Sequence, residues 1–147
     1  MDIAHTQVQD IMTREVVAIA PELGVDAAAE LMRSNSIRRL PVVNASGRLV
    51  GIVTIANALL ALPPNLRDEK GFNKVEPPTV REVMADYVYT ARPDEPLGAA
   101  ARRMVNHKVG ALPVVADHQV VGIVTESDVF RFVAEQYEAS QATDEPG

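Results

Sequence analysis

The chain has 147 residues, no cysteine, 47 % hydrophobic and 23 % charged residues, and a formal net charge of -6 at pH 7. This is a globular composition, which argues against disorder, and the missing cysteines exclude disulfide frameworks, thiolate catalysis and cysteine metal sites. The acidic balance gives nucleic acid or an anionic membrane no concentrated basic face, and no apolar run approaches the ~20 residues of a membrane span. With no basic-then-apolar leader at Met1, the expectation is a cytoplasmic protein with neither nucleic acid nor membrane as partner.

Compared with itself at an offset of 72 residues, the chain places Val8 on Val80, Met12 on Met84, Pro21 on Pro93, Met32 on Met104, and Leu40-Pro-Val-Val43 on Leu112-Pro-Val-Val115. One residue fewer in the second turn changes the offset to 71, and Val50-Gly-Ile-Val-Thr54 falls on Val121-Gly-Ile-Val-Thr125. The chain is a duplicate of itself, and that repeat sets the architecture.

Each copy opens with a short helical turn, Val8 to Met12 or Val80 to Met84. An extended piece follows, Val16 to Ile19 or Val88 to Ala91, closed by Pro21 or Pro93. Val25, Ala28, Ala29 and Met32 then recur at helical spacing, as do Leu97, Ala100, Ala101, Met104 and Val105, so each copy has a helix with one buried stripe. Pro96 stands where a first-turn proline is tolerated. Two strands come next, Leu40 to Val43 and Leu49 to Val53, joined by the turn residues Asn44-Ala-Ser-Gly47; their counterparts are Leu112 to Val115 and Val120 to Val124, joined around Asp117-His118. The near-continuous apolar runs imply sheets covered on both faces.

A last helix begins after Thr54 or Thr125. The unit is strand, helix, strand, strand, helix, written twice: 1–62 and 80–137, with a proline-rich, charged linker at 63–79 and a polar tail at 138–147 expected to fray.

The doubled, ordered set of Met12 and Met84, Leu-Pro-Val-Val, and Gly-Ile-Val-Thr before a helix resembles a tandem pair of CBS domains, the cystathionine beta-synthase motif, over residues 7 to 137. The resemblance implies an α/β (α+β) fold in which the two motifs pack sheet to sheet about a pseudo-twofold axis and leave two clefts. It also implies a regulatory adenosine ligand there, AMP, ADP, ATP or S-adenosylmethionine, with no cofactor required. A Thr-x-x-Asp at the last helix would hold the ribose and position the phosphates, while the first strand of the other copy lines the adenine. Carried onto this chain, that set is Thr125, Ser127 and Asp128, with Ile123 and Val124 before them and Val17, Ile19, Ala20 and Pro21 opposite. The other set is Thr54 and Asn57, with Ala91 opposite; here Asn57 replaces the aspartate and Ala56 stands where the second copy has Ser127.

The chemistry of these residue types agrees. A carboxylate accepts from both hydroxyls of a cis-diol, whereas an amide offers one acceptor and one donor group, so the aspartate site suits ribose better. A phosphate beside Asp128 needs a basic group, and Arg38 or Arg39 is the candidate, with the cleft either one faces left open. Thr125-x-x-Asp128 also fits a capping box with Asp in place of Glu or Gln, and both roles use the same helix-start donors. His5, His107 and His118 are scattered, so no metal site is expected, and the methionines read as core filler. No positioned base accompanies a nucleophile, so the expectation is a non-enzymatic, stand-alone regulatory module. By the same resemblance it would pair as a flat homodimer through its helices and signal to a protein partner; the alternative is a ligand-independent dimerisation scaffold.

Overall fold

Two antiparallel hairpins form the frame. In a computed structural model that describes residues 2–63 and 76–144, β1 (Arg39–Val43) pairs with β2 (Leu49–Thr54) and β3 (Ala111–Ala116) with β4 (Gln119–Thr125). The registers match through the repeat: Leu40 faces Val53 as Leu112 faces Val124, and Val42 faces Gly51 as Val114 faces Gly122. The second hairpin turns on Asp117 and His118, both at positive φ, 51° and 66°; this two-residue turn matches the twist of its strands. The first has a longer turn that uses Gly47 at φ 83°, with the Asn44 side chain accepting from the backbone N–H groups of Ser46 and Arg48.

Helices follow the expected stripes. In chain order they are α1 (Val8–Ile11), α2 (Val25–Ser34), α3 (Ile55–Ala61), α4 (Val80–Val83), α5 (Leu97–His107) and α6 (Glu126–Asp144). Helix α2 buries Val25, Ala28 and Met32, and α5 buries Leu97, Ala100 and Met104; Ala29 and Ala101 are half-buried, and Val105, expected in the stripe, is 65 % exposed because it lies one position past Met104 at the edge of the buried face. The fold is α+β, with two small antiparallel sheets.

Two expectations change. The extended pieces at Val16–Ile19 and Val88–Ala91 are not full strands: each makes one parallel bridge, Ile19 to Val42 and Ala91 to Val114. Their donors reach the carbonyls of Pro41 and Pro113, and Pro21 or Pro93 ends the pairing two residues on, since proline brings no N–H to a ladder. The tail expected from Glu138 is helical as far as Asp144, because Glu138, Ala139, Gln141 and Ala142 are good helix formers with no glycine or proline among them. Of the expected linker, 64–75 lies outside the described residues.

Two compact units result, one from Met1–Val16 with Tyr89–Gly147, the other from Val17–Val88. Each opening turn folds against the body of the other copy. The N–H groups of Val8 and Gln9 donate to the carbonyls of Glu95 and Pro93, and Leu97 N–H donates to Thr6; 72 residues along, Val80 and Arg81 donate to Leu23 and Pro21, and Val25 donates to Pro78. Backbone donors at the start of a short helix have no partner of their own, and here the other copy supplies the carbonyls. Thr6 is buried as part of this arrangement.

The core of the first unit gathers Val8, Met12, Ala91, Leu97, Ala100, Met104, Leu112, Val114, Val124 and Phe132. That of the second gathers Ile19, Val25, Ala28, Met32, Leu40, Val42, Val53, Ala58 and Val80. Each large side chain so buried contributes about 1.5–3 kcal/mol.

Gly51 and Gly122 sit where β2 and β4 meet the residues after α4 and α1. A Cβ on Gly122 would lie 2.7 Å from Met12 Sδ and 3.0 Å from the Thr13 carbonyl oxygen, and one on Gly51 2.5 Å from Met84 Sδ and 2.8 Å from the Ala85 carbonyl oxygen. Gly98, in α5, has open space around it. Gly122→Ala is therefore expected to destabilise the fold by about 1–3 kcal/mol through overpacking, whereas Gly98→Ala stabilises it by about 0.4–1 kcal/mol through the unfolded chain. Urea unfolding midpoints of the two variants check the opposite signs.

Candidate functional site at the start of helix α6

Strand β4 ends at Thr125 and α6 begins at once. Thr125 Oγ1 accepts from the Asp128 N–H at 3.1 Å, and Asp128 Oδ2 accepts from the Thr125 N–H at 2.9 Å. This is the reciprocal capping box the spacing implied, with aspartate in the acceptor role. The Thr125 hydroxyl also donates to Oδ2, at 3.0 Å. The neighbouring Glu126 N–H is satisfied by the Gly110 carbonyl.

The second carboxylate oxygen is held from further away. Thr13 and Ile123 exchange both backbone hydrogen bonds, at 2.8 and 2.9 Å. That pairing brings the Thr13 hydroxyl to 3.2 Å from Asp128 Oδ1 and 3.4 Å from Oδ2, so it leans mainly on Oδ1. One turn on, Arg131 Nη1 lies 3.3 Å from the same oxygen. The Asp128 side chain is only 3 % exposed while Arg131 is 62 % exposed, and Thr13 is exposed. A carboxylate has about four lone-pair positions, and Thr125 N–H, Thr125 Oγ1, Thr13 Oγ1 and Arg131 Nη1 fill all four. The two donors to Oδ1 are the ones that face solvent.

The counterpart at α3 is built differently. Asn57 N–H donates to Thr54 Oγ1 at 3.1 Å, and the Thr54 hydroxyl donates to Asn57 Oδ1 at 2.7 Å, so the cap survives. Asn57 is exposed, however, and Ala85 and Leu60 stand where the other unit has Thr13 and Arg131. Leu60 is 86 % exposed.

The remaining candidates divide by unit. Beside Thr125 and Asp128 in the first unit, Ser127 is exposed, Ile123 half-buried, and Val124 and Ala91 belong to the core. In the second unit Ile19 and Pro21 are buried, and Val17 and Ala20 are half-buried. Arg38 and Arg39 part company. Arg39 is half-buried and pairs with Thr54 in register, which puts the two side chains on one face of the sheet. Arg38 is exposed and lines a groove of about 740 Å³ with Glu30, Arg33, Ile37, Ile55, Leu59 and Leu62. There the Arg33 guanidinium hydrogen-bonds Glu30 and holds its carboxyl below the usual range.

A family model for the CBS domain matches residues 8–64 and 80–135, one match for each copy. The chain belongs to the CBS-domain family. This CBS pair is similar to the CBS domain pair of protein MJ0100, solved in complex with 5′-methylthioadenosine and S-adenosyl-L-methionine: TM-score 0.74, 32 % identity, covering 89 % of this chain and 98 % of that one. It is similar too to the putative acetoin utilization protein AcuB from Vibrio cholerae, with TM-score 0.75, 33 % identity, and 96 % and 98 % covered. Among curated relatives, the homoserine O-acetyltransferase of Methanohalobium evestigatum is 35 % identical over 137 residues, 90 % of this chain and 25 % of that protein. The L-aspartate semialdehyde sulfurtransferase of Methanocaldococcus jannaschii is 33 % identical over 127 residues, 86 % and 23 %. The CBS pair thus spans about a quarter of the length of these relatives.

Among the described residues of the CBS pair, no helix is long and apolar enough to cross a membrane, and no group of three or more His, Cys, Asp or Glu residues is placed to hold a metal ion. Thr13 and Arg131 are the site residues that reading the repeat along the chain missed. Arg131 had a signal, since residues three apart on a helix meet; Thr13 had none, because its approach depends on the pairing of distant segments. Thr125→Ala should cost about 1 kcal/mol or more in urea unfolding, since it removes a cap acceptor and one donor to a buried carboxylate. Thr54→Ala, next to an exposed Asn57, should cost less.

Proposed function

We propose that this CBS pair is a non-catalytic regulatory module that binds an adenosine-containing small molecule through the ribose hydroxyls at Asp128 and passes the change to a partner. The observation that carries the reading is the Asp128 carboxylate: it is buried, oriented by a cap, and edged on its Oδ1 side by two exposed donors. A vicinal diol can take the place of those donors, because both of its hydroxyls donate to one carboxylate. Ser127 lies beside it and Thr125 holds it in place. The MJ0100 complex supports the ligand class.

Binding shifts a conformational equilibrium only through unequal affinity for its two states. A helix start whose carboxylate exchanges intramolecular donors for ligand hydroxyls supplies such a difference. Output through a second copy is favoured by the exposed apolar side chains Leu59 and Leu60 on α3 and Phe130, Val133 and Tyr137 on α6, a density of large exposed hydrophobics that marks interaction surfaces. The exposed Asn57 and the apolar Leu60 favour the scaffold reading for the α3 start alone.

Thermal unfolding with AMP, ATP, S-adenosylmethionine and 5′-methylthioadenosine tests the proposal. A true ligand at 100 times its Kd stabilises by about 2.7 kcal/mol. Asp128→Ala should abolish that gain while costing about 1 kcal/mol as a lost cap contact. No shift with any adenosine compound would favour the ligand-independent scaffold.

A further inference from the structure

We infer that Arg131 is the residue that selects anionic adenosine ligands: it is held on Asp128 in this conformation and is released to the ligand's phosphate when ribose hydroxyls take over the carboxylate. The inference rests on the ribose reading of Asp128 and adds to it the charge class of the ligand.

Acceptor capacity at Asp128 limits what can bind there. All four lone-pair positions of Asp128 are engaged within the chain, so a diol enters only by displacing donors. The two on Oδ2 belong to the cap of a 19-residue helix. The longer contacts come from Thr13, 3.2 Å from Oδ1 and 3.4 Å from Oδ2, and from Arg131, 3.3 Å from Oδ1. A hydroxyl that loses an acceptor turns to the incoming ligand, as it both donates and accepts. A guanidinium has no acceptor lone pair and must find another anion or water.

Arg131 suits that exchange. It is 62 % exposed with a long, flexible stem, and its ion pair joins an exposed group to a buried one. Asp128 alone would repel a phosphate; an arginine released at the moment the diol binds removes that conflict and offers the fork that matches phosphate oxygens. The α3 start supplies the contrast: its counterpart residues are Asn57 and Leu60, so the acceptor pair and the cation are absent together.

Isothermal titration of the full chain with adenosine, 5′-methylthioadenosine and AMP tests this, using wild type, Arg131→Leu, Arg131→Lys and Asp128→Ala. Wild type should prefer AMP to adenosine by about tenfold, the scale of one charge-assisted hydrogen bond, and the preference should shrink with added salt. Arg131→Leu, the residue found at the α3 start and tolerable at an exposed position, should bring AMP within a factor of about three of adenosine. Adenosine and 5′-methylthioadenosine should bind it as well as wild type or better, since no ion pair then has to be broken. Arg131→Lys should restore part of the preference.

If Arg131→Leu weakens all three ligands equally, or leaves the AMP preference intact, the exchange is overturned while the ribose reading stands. If Asp128→Ala binds as wild type does, both are overturned.

Discussion

A hydrogen atom in place of a side chain at Gly122 is the constraint on which the site depends. It lets the segment after α1 lie against β4, so that Thr13 and Ile123 exchange backbone hydrogen bonds. That pairing carries the Thr13 hydroxyl to Asp128 and seats Met12 in the core with Val124. Gly51 does the same for Met84 and Ala85. The geometry is duplicated, but the side chain delivered differs: threonine, a donor, in one unit and alanine, with nothing to give, in the other.

The two helix starts therefore show how one scaffold separates structure from chemistry. Both threonines accept from the backbone N–H three residues on, at 3.1 Å, and the cap alone explains that. What the cap does not need is a nearly buried carboxylate with an arginine on its outer oxygen. Such a carboxylate is costly to bury unless its lone pairs are filled, and here two of the four are filled by exposed groups, Thr13 and Arg131. On the proposed reading, stability and binding would share the Oδ1 side of this carboxylate. Under the proposal, that overlap would let a ligand act on the fold.

Much of this was legible along the chain. The repeat gave both hairpins, the Thr125–Asp128 cap and the buried stripes of α2 and α5 except for the exposed Val105, since each of these is written in local spacing. The first strands were over-read because Val16 to Ile19 looks like a strand by composition, while the ladder available to it passes through the carbonyl of Pro41, a residue with no N–H to return. The polar tail suggests fraying by composition, yet its residues favour helix and continue α6 to Asp144. Hidden altogether was the exchange of opening segments, Val8 onto Glu95 and Val80 onto Leu23. A repeat states which segments are alike, not which of two like partners each one folds against. Thr13 stayed hidden for that reason, and Arg38 and Arg39 could be told apart only once the register placed Arg39 across from Thr54.

The account turns on one carboxylate meeting a diol, and amide chemical shifts recorded during an AMP titration report on it most directly. The account predicts that the resonances of Thr13, Thr125, Ser127, Asp128 and Arg131 move together and saturate at one AMP concentration. Saturable shifts that leave those five residues unmoved and gather elsewhere would contradict it.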